Sequence, residues 1–404
     1  MYSRDFFPDG TFSSRRKRLT KILDTRCLDA IWLHQSRDLY YFSGTAQDGH
    51  LIQTRDGSDH LFIRKYTPRA VKDSDITSVT SFHRLSEIQS ILRALVKVSR
   101  GAHRIGICTD VMSVKLWQRL QRVFPDAEWV DISGDIRRLR AVKSDEEIAV
   151  VHRAANLLDM VFDRITEWLK PGVTELELAA RIEFELRREG HQGTLPVRAL
   201  NSSIHYGNVL FGDSGAIRGA FDGPTCGPGL YPAIPKGAGW KPLKMGEPVF
   251  VDLVAGVGGY LADATRVYCL GQLSDHLLQA HENCRRIQDA VVETLRPGTP
   301  CDAPYQLALD MAESLGLKKV FMGPEDDQAR FIAHGIGLEI DEFPILAPGV
   351  TDVLESGHVI ALEPKAVIPE TGAVGIENTW VIRDTGPRPV THYPDQVREV
   401  TSFK

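Results

Sequence analysis

Acidic and imidazole side chains interrupt apolar stretches at five places in the second half of the sequence, namely Asp252, Asp263, His334, Glu363 and Glu377. Burying a carboxylate is costly unless it is paired or binds a metal ion. Each residue alone has a structural explanation, such as an aspartate bonded near a turn or a histidine satisfied in the core. One shared purpose explains all five better than five separate accidents, and we therefore predict a metal site.

The ligand types narrow the choice of metal. Four carboxylates and one imidazole suit one or two hard-to-borderline divalent ions. The oxygen-rich set favours Mn²⁺ or Fe²⁺, and Co²⁺ and Zn²⁺ are also compatible with it. We take manganese as the first expectation.

Short apolar strands must hold these side chains. Residues 248–271 read PVFVDLVAGVGGYLADATRVYCLG, which predicts two strands joined by a glycine-rich turn, with Asp252 and Asp263 inside the strands. Glycines follow His334 and allow a ligand or a neighbouring strand to approach closely. Glu363 is expected at the end of an apolar strand and Glu377 inside another.

Two helix pairs frame these strands. The S/T-x-x-E patterns that begin at Ser144 and Thr174 are capping boxes and predict helix starts. Pro-Gly pairs at 171–172 and 297–298 each separate one helix from the next, and a further glycine follows both at the same interval. The repetition predicts an internal pseudo-twofold duplication with the site at its seam, although Pro-Gly helix stops are common enough to coincide by chance.

The chain divides into two predicted domains. Residues 1–135 alternate helical and strand patterns, which is typical of an α/β domain, and we expect a structural or dimerising role for it. Residues 136–404 form an α+β domain that carries the candidate site. Its glycine- and proline-rich segment 221–248 is either a loop over the site or a surface insertion.

Composition limits the partners. The net charge of −5 gives no indication of nucleic-acid binding. The basic run at 15–18 is interpreted as a solvated helix face. Six scattered cysteines without a C-x-x-C pair indicate reduced thiols. No apolar stretch is long enough to cross a membrane and no signal peptide is apparent, so we expect a soluble cytoplasmic protein.

The whole pattern resembles the pita-bread metallopeptidase family. The likeness rests on the Asp-x10-Asp hairpin, the His-Gly-x-Gly segment, and the LEP and GIEN motifs. The linker IRRLRAVKSDEE and the N-terminal domain are similar to the branch of aminopeptidase P, prolidase and creatinase. The resemblance implies a creatinase-like N-terminal domain, a pita-bread catalytic domain and a homodimer that acts on small peptides or small molecules.

The resemblance also implies two divalent ions and a role for each ligand. Asp252 would chelate one ion, whereas His334 and Glu363 would bind the second. Asp263 and Glu377 would bridge the two. Such a pair of ions activates a bridging water and polarises the carbonyl of the bond to be cleaved, which would be the bond before proline.

Further roles follow from the same resemblance. Glu363 would be the general acid/base, and His205 would help to stabilise the tetrahedral intermediate. Candidate substrate contacts are Tyr206 and Asp341. Proline-specific members usually carry histidine at the position of Asp341 and often arginine at that of Gly375, so this chain differs where the substrate is held.

Three functions are therefore weighed. The first is an Xaa-Pro aminopeptidase or dipeptidase. The second is a non-peptidase enzyme on the same scaffold, either a small-amide hydrolase or a protein similar to the dimethylsulfoniopropionate lyases. The third is a binding module, which the retained ligand set disfavours because binding alone does not require a buried carboxylate cage.

Overall fold

The chain forms two compact units, Met1–Arg140 and Ala141–Lys404. The sequence also predicts a helix over residues 84–99, and its end lies outside the described part of the chain, as do the first two residues of the segment 221–248. The computed structural model describes residues 6–95, 103–199, 204–219 and 223–401.

Strands and helices alternate in the first unit. Its strands are β1 (Ala30–Leu33), β2 (Gly49–Thr54), β3 (Asp59–Ile63), β4 (Val79–Ser81), β5 (His103–Ile107) and β6 (Ala127–Asp131). Its helices are α1 (Thr11–Thr25), α2 (Ser36–Ser43), α3 (Thr67–Asp73), α4 (Leu85–Leu95), α5 (Val114–Val123) and α6 (Ser133–Ala141). Over the described residues these strands form one mixed sheet in the order β4-β3-β2-β1-β5-β6, which confirms the predicted α/β class.

Only residues 17–18 of the basic run in α1 form the solvated face that the sequence predicts. Arg15 and Arg16 are buried, and Nε of Arg16 lies 2.5 Å from Oδ2 of Asp59. Nη1 of Arg16 also lies 2.8 Å from Oδ1 of Asp75. The prediction was wrong for these two arginines because a paired guanidinium group can be buried where an unpaired one cannot.

The second unit has two pairs of helices and a larger set of strands. The helices are α7 (Asp145–Arg164), α8 (Glu175–Arg188), α9 (Asp275–Thr294) and α10 (Asp302–Ser314). The strands are β7 (Gly207–Phe211), β8 (Pro248–Val257), β9 (Tyr260–Leu270), β10 (Ala333–Gly335), β11 (Glu342–Leu346), β12 (Val359–Leu362), β13 (Lys365–Ile368), β14 (Gly372–Gly375), β15 (Asn378–Val381), β16 (Arg388–Pro389) and β17 (Arg398–Val400).

The helix starts in this unit are those that the sequence predicts. Both capping boxes form, at Ser144 with Glu147 and at Thr174 with Glu177. Apolar residues at helical spacing give α7 an apolar face, and this face is buried at Ile148 in the first turn and at Phe162 in the last. A helix pair recurs after the first group of strands, as expected for a duplicated module.

The strands of the second unit form separate sheets that meet at the candidate site. In the described ranges, one sheet has the order β17-β9-β8-β7, a second β11-β10-β12-β15-β16, and β13 pairs with β14 alone. Backbone bonding between Thr265 of β9 and Glu377 connects the first sheet to the second. The predicted α+β class is confirmed.

Among the described residues, no helix is both long and apolar enough to cross a membrane.

Candidate metal centre

The β8–β9 hairpin presents three polar side chains on one face. Asp252 lies directly opposite Thr265 in the antiparallel ladder. Asp263 precedes Thr265 by two residues, and alternate residues of a strand share a face. The hairpin predicted from the sequence therefore directs both aspartates to the same place.

The other three predicted ligands come from the second sheet and its neighbours. His334 is the central residue of β10, and Glu363 directly follows β12. Glu377 lies between β14 and β15 and not inside a strand as expected. The strand is interrupted there because the carbonyl of Glu377 accepts a hydrogen bond from the amide of Thr265, at 3.2 Å, on the other sheet.

These side chains converge at one point. The ligand atoms of Asp263, His334 and Glu377 all lie within 4.8 Å of one another. Nε2 of His334 is 3.7 Å from Oε1 of Glu363 and 3.9 Å from Oε1 of Glu377. The structure thus brings together the residues that the sequence singles out.

A lysine that the sequence analysis missed lies among them. Nζ of Lys365 is 2.7 Å from Oε2 of Glu363, 2.8 Å from Oε2 of Glu377 and 3.4 Å from Oδ2 of Asp252. The Lys365 side chain is only 2% exposed. The signal was present in the sequence, since Lys365 is the charged residue that opens the apolar run KAVIP directly after the LEP motif.

Burial, together with the crowding of charge, raises the pKa values of three of these acids. Burial raises the pKa of Asp252 to about 6, although the Lys365 ammonium opposes the shift. Burial raises the pKa of Asp263 well above its usual range, and the charges of Glu377 and Asp252 add to it. Burial likewise raises the pKa of Glu363. Together these shifts mean that the acids need cations nearby in order to stay ionised.

The pKa values of the two basic groups are raised as well, for a different reason. Burial alone would lower the pKa of Lys365, but the facing Asp252, Glu363 and Glu377 outweigh it and raise that pKa well above its usual range. The pKa of His334 is also raised, because neighbouring carboxylates overcome the effect of its burial. Lys365 is therefore a charged ammonium at neutral pH.

The donor set fits a divalent ion. Oδ1 of Asp263 is buried and accepts no hydrogen bond from the described residues, so an ion would supply the missing partner. Nδ1 of His334 donates to the carbonyl oxygen of Gly335 at 3.1 Å. That bond fixes the tautomer and leaves Nε2 as a lone-pair donor toward the carboxylates.

Neighbouring groups hold Glu377 in position. Oγ1 of Thr265 donates a hydrogen bond to Oε2 of Glu377 at 2.9 Å. Nη1 of the buried Arg266 donates to the carbonyl oxygen of Glu377, and its Nη2 donates to Oδ1 of Asn378. Both ends of this residue are therefore tied to β9.

A cavity opens above the cluster, and part of the glycine- and proline-rich segment forms its wall. Buried residues 223–226 line it, and the half-buried Lys236 lines it as well. His205 also lines the cavity and is exposed. The segment 221–248 is thus more than a remote surface insertion.

Tyr206 does not share this position. It is not among the described residues that line the cavity, and its ring packs on that of His191 with centroids 4.3 Å apart. His205, by contrast, lines the cavity. The prediction of Tyr206 as a substrate contact receives no support from this geometry.

The two positions that depart from the family pattern flank the site. Asp341 lines the cavity, and its Oδ1 lies 3.6 Å from Nδ1 of His334. Gly375 pairs with Lys365 across β13 and β14 and has a φ of +143°. A Cβ added there would lie 2.6 Å from both the Lys365 Cα and the Pro364 carbonyl oxygen, so no larger residue fits this backbone.

Comparison with protein-family models gives the class of protein. Residues 149–384 match the model of metallopeptidase family M24, and residues 15–142 match the creatinase/prolidase N-terminal domain. The chain belongs to metallopeptidase family M24 and is an enzyme of the peptidase type.

Individual relatives span almost the whole chain. An Xaa-Pro dipeptidase of Pyrococcus furiosus is 26% identical over 93% of this chain and 97% of its own length. An uncharacterized peptidase of Bacillus subtilis is 27% identical over 94% of this chain and 98% of its own length.

Solved structures agree on the fold. The Xaa-Pro dipeptidase of Bacillus anthracis superposes with a TM-score of 0.82 at 24% identity, covering 96% of this chain and all of the other. The prolidase of Pyrococcus furiosus gives a TM-score of 0.75 at 24% identity, covering 93% of this chain and 100% of the other. The predicted creatinase-like and pita-bread architecture is confirmed.

Proposed function

We propose that this protein is a metal-dependent peptidase that cleaves short peptides, with the bond before proline as the preferred target. The observation that carries the proposal is the convergence of Asp263, His334, Glu363 and Glu377 beneath a cavity that His205 and Lys236 also line. Manganese is the first candidate for the ion because most of these donors are carboxylates.

The protein groups divide the catalytic work. A divalent ion held by these donors would polarise the scissile carbonyl and lower the pKa of an attacking water. Glu363, whose pKa burial raises, takes the proton of the water and returns it to the leaving amine. His205, exposed at the cavity wall, donates a hydrogen bond to the oxygen on which charge develops.

Lys236 supplies a cation on the substrate side. It is half-buried in the cavity wall. The arginine that proline-specific members often carry is absent from this chain, because that position is Gly375. An ammonium at that wall attracts the free carboxylate of a dipeptide, and partial burial strengthens the attraction. We therefore expect dipeptides to be better substrates than their C-terminal amides.

A substrate panel tests the proposal. Purified protein reconstituted with Mn²⁺ is assayed on Xaa-Pro dipeptides, Xaa-Ala dipeptides, tripeptides with proline second, and small non-peptide amides. We expect turnover of the proline dipeptides that a chelator abolishes and added Mn²⁺ restores. Cleavage of Xaa-Ala alone would refute the proline preference, and turnover that persists in chelator would refute the metal-dependent chemistry.

A non-peptidase reaction is the second candidate, and Asp341 is the observation that favours it. A carboxylate 3.6 Å from His334 adds negative charge and removes a donor where proline-specific members use histidine. Such a change suits a substrate whose polar group differs from a prolyl carboxylate. Turnover of a small amide, or elimination from dimethylsulfoniopropionate, without cleavage of any peptide in the panel would favour this candidate.

The assembly and the location remain part of the proposal. We propose a cytoplasmic homodimer in which the first unit mediates contact between subunits, by analogy with the branch that the chain resembles. Light scattering of the full chain and of a chain carrying charge-reversing changes on the first unit would test the dimer. A monomeric full chain at micromolar concentration would contradict it.

A further inference from the structure

Three carboxylate oxygens converge on one ammonium group. They are Oε2 of Glu363, Oε2 of Glu377 and Oδ2 of Asp252, at 2.7, 2.8 and 3.4 Å from Nζ of Lys365. Oxygens from three separate segments directed at one point form the arrangement that a bound cation requires. In this chain the point is occupied by the lysine side chain.

The side chain of Lys365 has little room to move out of the site. It is the first residue of β13, where it pairs with Gly375, and its side chain is 2% exposed. Nζ also lies 5.8 Å above the ring of Phe250, which closes the apolar side of the site. The ammonium is therefore built into the wall of the site.

The lysine engages Asp252, the residue that the family resemblance gives to one ion alone. The donors that remain are Asp263, with its unpartnered Oδ1, together with His334 and Glu377. Oε1 of Glu363 faces the same side, 3.7 Å from the histidine. One compact group of donors is left, and it does not depend on Asp252.

Repulsion between cations points the same way. Four carboxylates meet here, at Asp252, Asp263, Glu363 and Glu377. One divalent ion with the ammonium and two divalent ions with the ammonium each leave a net charge of one unit, negative and positive respectively, so the distance between the cations decides. An ammonium a few ångströms from a second ion would repel it strongly in a buried site of low dielectric constant.

We propose that Lys365 takes the place of one of the two metal ions, so that the site binds a single divalent ion through Asp263, His334, Glu363 and Glu377. This inference rests on the proposed function, since it assumes that the cluster is the metal centre of the enzyme. It replaces the expectation of two ions that the resemblance carried. The ammonium neutralises Asp252 and donates to Oε2 of Glu363, so Lys365 is a positioning residue for the proton carrier.

Metal stoichiometry measures the difference directly, without any assay of activity. Chelator-treated full-length protein is titrated with MnCl₂ by calorimetry, and the bound metal is quantified after dialysis. We expect one Mn²⁺ per chain for the natural protein and two for Lys365→Gly. Paramagnetic resonance gives a second readout, because two Mn²⁺ ions that share a carboxylate couple magnetically and a single ion gives an uncoupled spectrum.

Two further variants, one of Asp252 and one of the ligand His334, keep the inference testable if Lys365→Gly fails to fold. Asp252→Asn in the natural background should still bind one Mn²⁺ with its affinity changed less than about threefold. His334→Ala should bind none under the same conditions. In a site with two ions, by contrast, Asp252→Asn would lose one ion of the two.

The outcomes separate the inference from the proposed function. Two coupled Mn²⁺ ions in the natural protein would overturn the role of Lys365 and leave the metallopeptidase proposal intact. One ion in both the natural protein and a folded Lys365→Gly variant would also overturn it. Failure of the natural protein to bind Mn²⁺, Fe²⁺, Co²⁺ or Zn²⁺ would refute the metal-dependent function itself.

Discussion

The hydroxyl of Thr265 donates a hydrogen bond to the carboxylate of Glu377 across two sheets, with 2.9 Å between Oγ1 and Oε2. The two residues also share a backbone hydrogen bond, so side chain and main chain are tied at the same point. This double link fixes the direction of the carboxylate that the ion requires, and it makes a residue that is not a ligand important for metal binding.

Thr265→Val should therefore weaken the binding of Mn²⁺ by about 10- to 100-fold, because groups that orient a metal ligand typically matter to that extent. Thr265→Ser keeps the hydroxyl and is the matched control. Calorimetric titration of both variants measures the change. Equal affinities for the two variants would show that Glu377 does not need the hydrogen bond.

Glu363→Gln should abolish most turnover while the protein stays folded. The amide cannot accept the proton of the attacking water, so kcat is expected to fall by about 10²- to 10⁴-fold. Glu355→Gln, at an exposed position of the same unit, is the control for a nonspecific effect. Circular dichroism checks the fold, and kcat close to that of the natural protein would remove Glu363 from the mechanism.

Lys236→Met should raise KM for a dipeptide by about tenfold, which corresponds to about 1.4 kcal/mol of lost attraction for the substrate carboxylate. Methionine keeps the length of the side chain and removes its charge. The same variant should leave KM for the C-terminal amide of that dipeptide nearly unchanged. A parallel rise for both substrates would indicate a change in the shape of the cavity wall.

Acid stability depends on a buried histidine away from the ligands. Burial, reinforced by the charge of Lys143, lowers the pKa of His358 to about 3. In the unfolded chain the same imidazole titrates near 6.5, so its contribution to stability is full above about pH 6.5 and is lost as the pH falls toward 3. Nδ1 of His358 accepts a hydrogen bond from the amide of Glu355.

His358→Asn keeps an acceptor for that amide and cannot be protonated. Between pH 6 and 4.5 the free energy of unfolding should fall less steeply in this variant, by about 1.4 kcal/mol for each pH unit. His276→Asn, at an exposed site, serves as the control. Urea unfolding across this range provides the measurement, and parallel slopes for His358→Asn and the natural protein would contradict the assignment.

Much of the fold and most of the cluster followed from local patterns. Capping boxes and the apolar period of α7 depend on residues that are close in the sequence. The acids inside apolar strands, Asp252 and Asp263, can also be recognised from the sequence alone. The roles of the ligands, however, came from resemblance to a family rather than from spacing. The pairing of strands that are distant in the sequence decides which faces of the sheets meet, and no local sequence pattern encodes that pairing.

The failures have physical causes. Lys365 was overlooked because its importance depends on carboxylates from three distant segments that only the tertiary fold brings to it. The substrate contact of Tyr206 stays a prediction, since its neighbour His205 lines the cavity and Tyr206 packs on His191 instead. Arg16 became buried because Asp59, far along the chain, pairs with it. Arg15 is buried because its guanidinium group lies over the ring of Tyr41, 4.3 Å from the centroid, and donates a hydrogen bond to the Tyr41 carbonyl oxygen.

The hairpin of β13 and β14 restricts the order in which such a site could change. Replacing Lys365 by a smaller residue alters only a side chain, whereas any larger residue at 375 collides with the main chain across the hairpin while φ stays at +143°. An evolutionary or laboratory route toward a site with arginine at 375 would therefore have to remodel the hairpin backbone. A single substitution can therefore remove the ammonium of Lys365, but no single substitution can place a guanidinium group at position 375.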